Sequence, residues 1–474
     1  MKNVTYYILL CALLAITFNA HAQDKDKNKI MVHTADSLFN SLHGQGKFNG
    51  NVLLAEHGHI LYKKSFGLAN EQTKTPLNEY SVFELASCSK QFTAMAIAIL
   101  ANEGKLSLDD EISIYFPGLS YYKGVTIRNL LYHTSGLPDY MRLEDSIWQS
   151  WDEHKIATNK DVIAIFEKHK PKLLFEPGTK HEYSNTGYLL LASIIEKVSG
   201  MSFGAYLSQK IFKPLGMKQS LVYNRRYAPR KVENYALGYV TDDSLHKKVL
   251  PDSFLPTQYV YNLDGIVGDG AVNSTVHDLL KWDNALYTDK LLPANKRKEL
   301  FESGRLKNDS LAHYGFGWFI KDKPDGTKTV SHSGGWPGYI TYIERDLQTH
   351  RTIIMLQNTS DGVIPKKEVR LLMDGKPIPP AEVLKEVLLP ENILSFYTGQ
   401  YQLDPEFILT ITKEGQQLYA QATGQGRIPI YASSETKFFN KDVAVRMEFV
   451  KDGEKIKEMI FQQGGTTIAA PRIN

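Results

Sequence analysis

Apolar residues recur every three or four positions in three stretches of the chain, and this spacing marks one face of a helix. In the first stretch they are Leu38, Phe39 and Leu42. In the second, which starts after Ser87 and ends at Gly104, they are Phe92, Met95, Ile99 and Leu100. The third stretch begins near Thr186. The pattern therefore predicts three helices, and glycine ends the second.

Runs rich in β-branched and aromatic residues predict strands before and after these helices. Residues 51–55 and 60–62 flank a polar turn in which Gly58 can adopt a positive φ, so they predict a hairpin. Residues 338–343 and 352–356 predict two later strands separated by a polar turn.

The length of the chain and a proline-rich stretch predict two domains. A chain of 474 residues exceeds what one hydrophobic core usually organises. Residues 376–380 contain three prolines, which lack the backbone donor that a helix or central strand needs. We predict a first domain over 30–375, a linker over 376–390 and a second domain over 391–474. Short alternating runs punctuated by glycines indicate that the second domain is a small all-β barrel.

The first residues have the pattern of a signal peptide. A positive start precedes a mostly apolar run over 4–18, which is shorter than the roughly 20 residues needed to cross a bilayer. The sequence Ala-His-Ala at 20–22 is of the kind that signal peptidase accepts. We therefore predict a signal peptide over 1–22, export to the periplasm or medium, and no transmembrane anchor after cleavage. A membrane anchor is one alternative; lipidation at Cys11 is another, although Leu10 does not fit a lipobox.

Charge and cysteine content narrow the possible partners. Lys and Arg total 55 against 52 Asp and Glu, without a block of like charge, so nucleic acid is not an expected partner. The cysteines are Cys11 and Cys88. Cleavage would remove the first, so no internal disulfide is expected. Cys88 is then either a buried small side chain or a redox-sensitive thiol.

Metal and nucleotide motifs are absent from the sequence. The 14 histidines form no H-E-x-x-H, and no cysteines are paired at zinc-ligand spacing. A Walker-type loop and a G-x-G-x-x-G are also missing. We therefore expect neither a metal nor a cofactor.

The second predicted helix opens with the sequence Ser87-Cys88-Ser89-Lys90. Residue i+3 lies on the same helix face one turn along, so the Lys90 amine can reach the Ser87 hydroxyl. An unprotonated amine can take the hydroxyl proton, and the positive end of the helix favours the developing negative charge. Further Ser-x-x-Lys sequences start at Ser120, Ser244 and Ser434. Because only the first copy precedes a long apolar helix, Ser87 is the predicted nucleophile and Lys90 its proton acceptor.

The only Tyr-x-Asn of the chain, Tyr183-Ser184-Asn185, precedes the third predicted helix. A phenol beside an ammonium can exchange protons with the nucleophile and the leaving group. The Asn185 amide can bind a substrate carbonyl. The alternative is a packed tyrosine and a helix-capping asparagine.

A strand-like run ends in His332-Ser333-Gly334-Gly335. Glycine allows a substrate backbone to lie close against a strand edge. His332 can hold a polar end of the substrate, and the Gly335 and Ser87 amides can form an oxyanion hole. A second His-x-Gly at 313–315 shows that the pattern also arises without function, so a structural role is the alternative.

In this order, the three motifs resemble the serine β-lactamase and penicillin-binding-protein superfamily, on the branch of class C β-lactamases, DD-peptidases, D-aminopeptidases and related esterases. Further similar stretches are 131–138, 175–188 and 270–279. The resemblance covers roughly residues 30–375. It implies an α+β fold with an antiparallel sheet flanked by helices and a mostly helical subdomain, with the site in between. The remaining tail resembles the small all-β barrel-like domains appended on this branch.

The resemblance also implies roles for the motif residues. Ser87 becomes the acylated nucleophile, and Lys90 and Tyr183 become the acid/base pair. The substrate contacts are then Asn185, His332, Gly334 and Gly335.

The third motif departs from class C β-lactamases, which usually carry Lys-Thr-Gly where this chain has His-Ser-Gly. A permanent cation suited to a β-lactam carboxylate is therefore missing. We expect an exported serine hydrolase that acts on a small amide or ester, most of all a D-amino-acid peptide. The alternatives are an esterase or transacylase, a β-lactamase, and a catalytically silent cell-wall or partner-binding protein. The expected partner is a peptide or small-molecule substrate, and no oligomeric state is predicted.

Overall fold

The computed structural model describes residues 28–143, 155–242, 244–245, 247–379, 384–404, 407–423, 426–441, 445–453, 455–463 and 466–473. The predicted signal peptide lies outside the described residues. The chain divides into two compact units, Met1–Ile378 and Pro379–Asn474.

The first unit contains both helices and strands, and the second is almost entirely β. The helices are α1 (28–44), α2 (Lys90–Asn102), α3 (Ile112–Tyr115), α4 (Ile127–Leu131), α5 (Asn159–His169), α6 (Asn185–Ser199), α7 (Phe203–Leu207), α8 (Tyr259–Asn262), α9 (Val276–Ala285), α10 (Ala294–Glu299), α11 (Lys366–Met373) and α12 (Glu391–Leu394). The strands of the first unit are β1 (Gly50–Glu56), β2 (His59–Phe66), β3 (Leu68–Asn70), β4 (Thr75–Pro76), β5 (Phe83–Glu84), β6 (Leu221–Val222), β7 (Val240–Asp242), β8 (Lys247–Val249), β9 (Val272–Ser274), β10 (Phe319–Asp322), β11 (Lys328–Trp336), β12 (Tyr339–Asp346) and β13 (Arg351–Gln357). Those of the second are β14 (Gly399–Asp404), β15 (Phe407–Glu414), β16 (Gln417–Ala422), β17 (Arg427–Ala432), β18 (Lys437–Phe439), β19 (Val445–Asp452), β20 (Lys455–Gln463) and β21 (Thr466–Pro471).

The main sheet of the first unit has six antiparallel strands in the order β10-β11-β12-β13-β1-β2. The predicted hairpin is β1–β2, and Gly58 in its turn has a φ of 78°. The two later predicted strands are β12 and β13, so strands distant in sequence form one sheet around β1. The structure confirms the α+β fold.

Both faces of this sheet are covered, because successive side chains of β1 point to opposite sides. Val52 and Leu54 pack into a cluster with residues of α1 and α11. Leu53 and Ala55 belong to a larger cluster that includes residues of α2, α6 and α9. The larger cluster also contains residues of α4, α5 and α7.

The helix that follows Ser87 lies at the centre of this larger cluster. Its predicted apolar residues are buried, but so are the residues between them, from Gln91 to Ile97. The helix ends at Asn102, followed by Gly104 with a φ of 68°. The third predicted helix, α6, begins at Asn185 and ends before Gly200, whose φ is 70°. Both helix predictions are confirmed.

The second unit is an eight-stranded sheet in which the strands follow one another in chain order, β14 to β21. An isolated bridge between Tyr401 and Arg472 links the first strand to the end of the last, so the sheet is nearly closed. Aromatic side chains such as Tyr397, Phe438 and Phe449 fill its interior. The barrel-like tail is therefore confirmed. In the described parts of both units, no helix has the length and apolarity that a membrane span requires.

Candidate active site

Ser87 lies in a tight turn that leads directly into α2. The turn, Ala86–Ser89, is a 3₁₀ helix, and Ala86 adopts a left-handed φ of 48°. Thr341 Oγ1 on β12 donates a 2.7 Å hydrogen bond to the carbonyl of Leu85, just before the turn. Ser87 is partly exposed while the other three residues of the turn are buried. The fold thus presents the Ser87 side chain at a surface and fixes the backbone behind it.

Lys90 lies in the first turn of α2 with its side chain fully buried. Its Nζ is 3.3 Å from Ser87 Oγ, 2.8 Å from Asn185 Oδ1 and 2.9 Å from the carbonyl oxygen of Asp269. The Tyr183 ring centroid is 4.9 Å from the same nitrogen. The structure therefore brings together the four groups that the first two motifs single out.

Tyr183 and Asn185 flank the start of α6. Asp139 Oδ2 accepts hydrogen bonds from the backbone nitrogen and from Nδ2 of Asn185, at 3.1 and 2.8 Å. The Tyr183 ring packs against His133, with 4.3 Å between ring centroids, and stacks on Phe319 at 6.2 Å. Contacts from other segments therefore fix both side chains.

His332 on β11 is buried, with 1 % of its surface exposed. The Tyr314 hydroxyl donates to Nε2 at 2.9 Å, and Nδ1 donates to the carbonyl of Ser333 at 2.6 Å. Burial, and secondarily the charge of Lys90, lowers the pKa of His332 to about 3, so the imidazole is neutral. Because both ring nitrogens are bonded within the protein, this geometry favours a positioning role over the predicted substrate contact.

The two glycines of the third motif differ in their surroundings. A Cβ on Gly334 would lie 2.2 Å from the Leu85 carbonyl oxygen and 2.3 Å from Thr341 Oγ1. Gly334 is therefore needed for the close approach of the Ser87 turn to β11. A Cβ on Gly335 would meet nothing within 4 Å. Gly335 thus faces open space beside the turn.

A cavity of about 100 Å³ opens beside the Ser87 turn. Its wall includes Ser87, Asn185 and Gly335. Its other lining residues are Glu84, Ala86, Tyr140, Met141, Tyr223, Asn224, Leu263, Asp264, Ile266, Asp269, Gly270, Ala271 and Trp336. The nucleophile therefore borders a cavity that a small chemical group can enter.

The charge of this cavity wall is one-sided. Three described lining residues are acidic, Glu84, Asp264 and Asp269, and none of those described is Lys, Arg or His. Burial, and next the charge of Asp264, raises the pKa of Glu84 to about 7. Burial also raises the pKa of Asp269, whose Oδ2 accepts a 2.9 Å hydrogen bond from the Tyr140 hydroxyl. The wall therefore suits a neutral or cationic group better than an anion.

Four site residues were missed at the sequence level: His133, Asp139, Asp269 and Tyr314. Asp139 follows the similar stretch 131–138, of which His133 is part, and these residues were noted only for resemblance. Asp269 contributes a backbone carbonyl, for which residue type gives no signal. Tyr314 lies in the second His-x-Gly, at 313–315, a pattern that by itself gives no sign of a role in the site.

Cys88 is buried directly behind the nucleophile. Its Sγ donates to the carbonyl of His332 at 3.2 Å. Burial raises the pKa of the thiol to about 12. These features favour the first of the two interpretations of Cys88, a buried small side chain. In the described residues, no group of three or more His, Cys, Asp or Glu side chains could hold a metal ion.

Comparison with family models divides the chain at the proline-rich stretch. Residues 35–373 match the model described as Beta-lactamase. Residues 385–470 match a domain of unknown function, DUF3471. The first match contains all the residues of the site described above.

Individual relatives extend this similarity over most of the chain. Penicillin-binding protein 4* of Bacillus subtilis (strain 168) is 42% identical over 444 residues, which are 92% of this chain and 97% of the relative. The octameric penicillin-binding protein homologue from Pyrococcus abyssi is 26% identical, with a TM-score of 0.64 over 93% of this chain and 99% of that one. D-amino acid amidase from Ochrobactrum anthropi SV3, solved with D-phenylalanine, is 25% identical, with a TM-score of 0.58 over 74% and 98%.

Proposed function

Because the chain belongs to the beta-lactamase family and is a serine hydrolase, we propose that it cleaves a small amide or ester of a D-amino acid through an acyl-enzyme on Ser87. The observation that carries this proposal is the 3.3 Å contact between Lys90 Nζ and Ser87 Oγ, beside a cavity that Ser87 lines. A silent binding protein would not need a buried lysine at this hydroxyl, because the amine of a lysine is costly to bury.

In the proposed acylation, Ser87 Oγ attacks the substrate carbonyl carbon while its proton passes to the unprotonated amine of Lys90. The backbone N–H groups of Ser87 and Gly335 stabilise the oxyanion. The carbon–nitrogen or carbon–oxygen bond of the substrate then breaks, and the leaving group takes the proton from Lys90 by way of the Tyr183 hydroxyl, which leaves the Lys90 amine neutral again. The products of this half-reaction are an ester on Ser87 and a free amine or alcohol.

In the proposed deacylation, water takes the place of the leaving group. The water oxygen attacks the ester carbon while its proton passes by way of the Tyr183 hydroxyl to the unprotonated amine of Lys90, and Lys90 returns that proton to Ser87 Oγ as the acid departs. An acceptor amine or alcohol in place of water would give acyl transfer from the same intermediate. Ser87, Lys90 and Tyr183 could therefore support peptidase, esterase or transacylase activity.

Two features support a D-amino-acid amide or peptide before a β-lactam. The third motif supplies a neutral His332 where a β-lactam carboxylate would need a cation. Three residues of the described cavity wall are acidic: Asp264 is paired with Arg226 at 2.8 Å, while Glu84 and Asp269 have raised pKa values and can accept a hydrogen bond from the ammonium group of an amino acid. The relative from Ochrobactrum anthropi SV3 is named a D-amino acid amidase, which fits the same chemical class.

The proposal extends to the organisation of the whole chain. Residues 1–22 are an export signal, so the enzyme acts in the periplasm or outside the cell. Residues 30–375 are the hydrolase domain, 376–390 a linker and 391–474 an accessory β-domain. Support comes from the apolar N-terminal run and from the two family matches, which end and begin near the proline-rich stretch.

A substrate panel tests the proposal. The kcat/KM of purified protein is measured for D-alanine p-nitroanilide, its L enantiomer, a D-alanyl-D-alanine peptide and a chromogenic cephalosporin, with Ser87→Ala as the control. The D-aminoacyl amide or peptide is expected to be the best substrate, and Ser87→Ala is expected to be inactive on all of them. Faster turnover of the cephalosporin than of every D-amino-acid compound would overturn the substrate class.

A further inference from the structure

The side-chain amide of Asn185 is held in one orientation. Asp139 Oδ2 is 2.8 Å from Nδ2 of Asn185 and 3.1 Å from its backbone nitrogen. An ionised carboxylate can only accept hydrogen bonds, so the amide must turn its NH₂ group toward Asp139. Its oxygen, Oδ1, then faces Lys90 Nζ at 2.8 Å.

This orientation determines how Lys90 can bond in its unprotonated form. A neutral amine has two N–H bonds and one lone pair. Asn185 Oδ1 and the Asp269 carbonyl oxygen, at 2.8 and 2.9 Å, can only accept, so they take both N–H bonds. The remaining partner of Nζ is Ser87 Oγ at 3.3 Å. The lone pair therefore points at the hydroxyl whose proton it must take.

We propose that Asp139 is a positioning residue that locks the Asn185 amide and thereby aims the lone pair of Lys90 at Ser87. This inference rests on the proposed roles of Ser87 and Lys90. If the amide turned over, its NH₂ group would donate to Lys90 and occupy the lone pair. The Oγ–H bond of Ser87 could then not break toward nitrogen as Oγ bonds to the acyl carbon.

The surroundings of Asp139 suit this task. Its side chain is 9 % exposed, and its two oxygens have separate partners. Oδ1 accepts from the backbone nitrogen of Met141 at 3.0 Å, which fixes the carboxylate in its own turn. Oδ2 is left for Asn185.

The neighbouring backbone is tied to the start of α6. Thr186 Oγ1 donates to the Pro138 carbonyl at 2.7 Å, and the Tyr140 nitrogen donates to the same Oγ1 at 2.8 Å. These two bonds flank Asp139 on either side. The carboxylate and the amide are therefore held at a constant separation.

The test measures phosphonylation of Ser87 by a fluorophosphonate, which needs an activated serine but no knowledge of the substrate. The maximal inactivation rate kinact and the half-saturating concentration KI are measured for wild type and Asp139→Ala. We expect kinact to fall at least about tenfold. KI should stay within about twofold, because Asp139 is not among the described residues that line the cavity. A general structural defect would change both constants.

A double-mutant cycle with Asn185→Ala separates action through Asn185 from any other effect. In the Asn185→Ala background, Asp139→Ala should change kinact less than about twofold. Asp139→Asn keeps the shape of the side chain and is run in the same cycle, so the test stands if Asp139→Ala does not fold. Asp161→Ala, which removes a carboxylate at the start of α5, is the matched control and should leave kinact unchanged.

The outcomes separate the two proposals. If the wild type is labelled at Ser87 and Asp139→Ala has the same kinact as the wild type, the positioning role is overturned and the proposed function stays intact. The positioning role would also be overturned if Asp139→Ala lowered kinact by the same factor in the wild-type and in the Asn185→Ala background. Absence of labelling in the folded wild type would contradict the proposed function itself.

Discussion

The hydroxyl of Tyr314 lies 2.9 Å from Nε2 of His332 and donates a hydrogen bond to it. Nδ1 of the same ring donates to the Ser333 carbonyl, so the imidazole has no free nitrogen. The histidine of the third motif thus supports β11 beside the nucleophile and supplies no cation. Because His332 is neutral, it offers no positive charge to an anionic group of a substrate, and this bears on which substrates the site can bind.

The neutral state of His332 predicts an acid-dependent loss of stability. The pKa of His332 is about 3 in the folded state, against an ordinary value of 6.5, so the unfolded chain takes up a proton first as pH falls. The contribution to stability is complete above pH 6.5 and is lost as pH falls from 6.5 toward about 3. Melting temperatures at about pH 7.5 and about pH 4.5 should therefore differ more for wild type than for His332→Gln. Equal differences in the two proteins would contradict this account.

Gly334→Ala is predicted to damage the site through the nucleophile turn. The new Cβ would lie 2.2 Å from the Leu85 carbonyl oxygen, so β11 or the turn must move. A displacement of this kind can cost about 100-fold in rate, and we expect a loss of that order in fluorophosphonate labelling. Gly44→Ala is the control, because a Cβ at Gly44 meets nothing within 4 Å. If Gly334→Ala were labelled at the wild-type rate, the close approach of the Ser87 turn to β11 would not be needed.

Cys88 is predicted to be unreactive in the folded protein. Its thiol is buried and its pKa is raised to about 12, so almost no thiolate exists at neutral pH. Iodoacetamide should leave the peptide containing Cys88 unmodified in the native protein and alkylate it fully after denaturation. Rapid alkylation of the native protein, followed by peptide mass mapping to Cys88, would restore the redox-sensitive interpretation.

Glu84 is predicted to make the binding of cationic substrates depend on pH. Its pKa is raised to about 7 by burial and by Asp264, while Arg225 and Arg226 act in the opposite direction. The carboxylate is therefore ionised mainly above pH 7, and KM for D-alanine p-nitroanilide should fall as pH rises through about 7.

Two controls isolate the contribution of Glu84. The N-acetylated anilide carries no ammonium group, so its KM should show no such step. Glu84→Gln should abolish the step for the cationic substrate and raise its KM about tenfold above pH 7, since a charge-assisted hydrogen bond is lost. If the change of KM near pH 7 persisted in Glu84→Gln, the titrating group would be a residue other than Glu84.

The sequence predicts the parts of the site that depend on local geometry. Ser87 and Lys90 meet because residues three apart share a helix face, and Asn185 is placed by the helix that it begins. At Gly334 the sequence led us to expect the close approach of a substrate backbone, whereas the group that lies against this glycine is the Leu85 carbonyl.

Contacts between distant segments could not be predicted. The hydrogen bond from Tyr314 to His332 joins β11 to a loop before β10, and that from Lys90 to Asp269 uses a backbone atom. No spacing along the chain encodes either of these. The strand order of the main sheet, with β1 between β13 and β2, likewise depends on the pairing of segments that are far apart in the chain, as in the register of Leu53 with Ile354.

The most direct test of the central claim is intact-protein mass after exposure to a fluorophosphonate, with peptide mapping, on wild type and Ser87→Ala in parallel. We expect a single phosphonyl adduct on Ser87 in the wild type and none in the variant. A folded wild-type protein that takes up no adduct, or an adduct that persists in Ser87→Ala, would contradict Ser87 as the activated nucleophile.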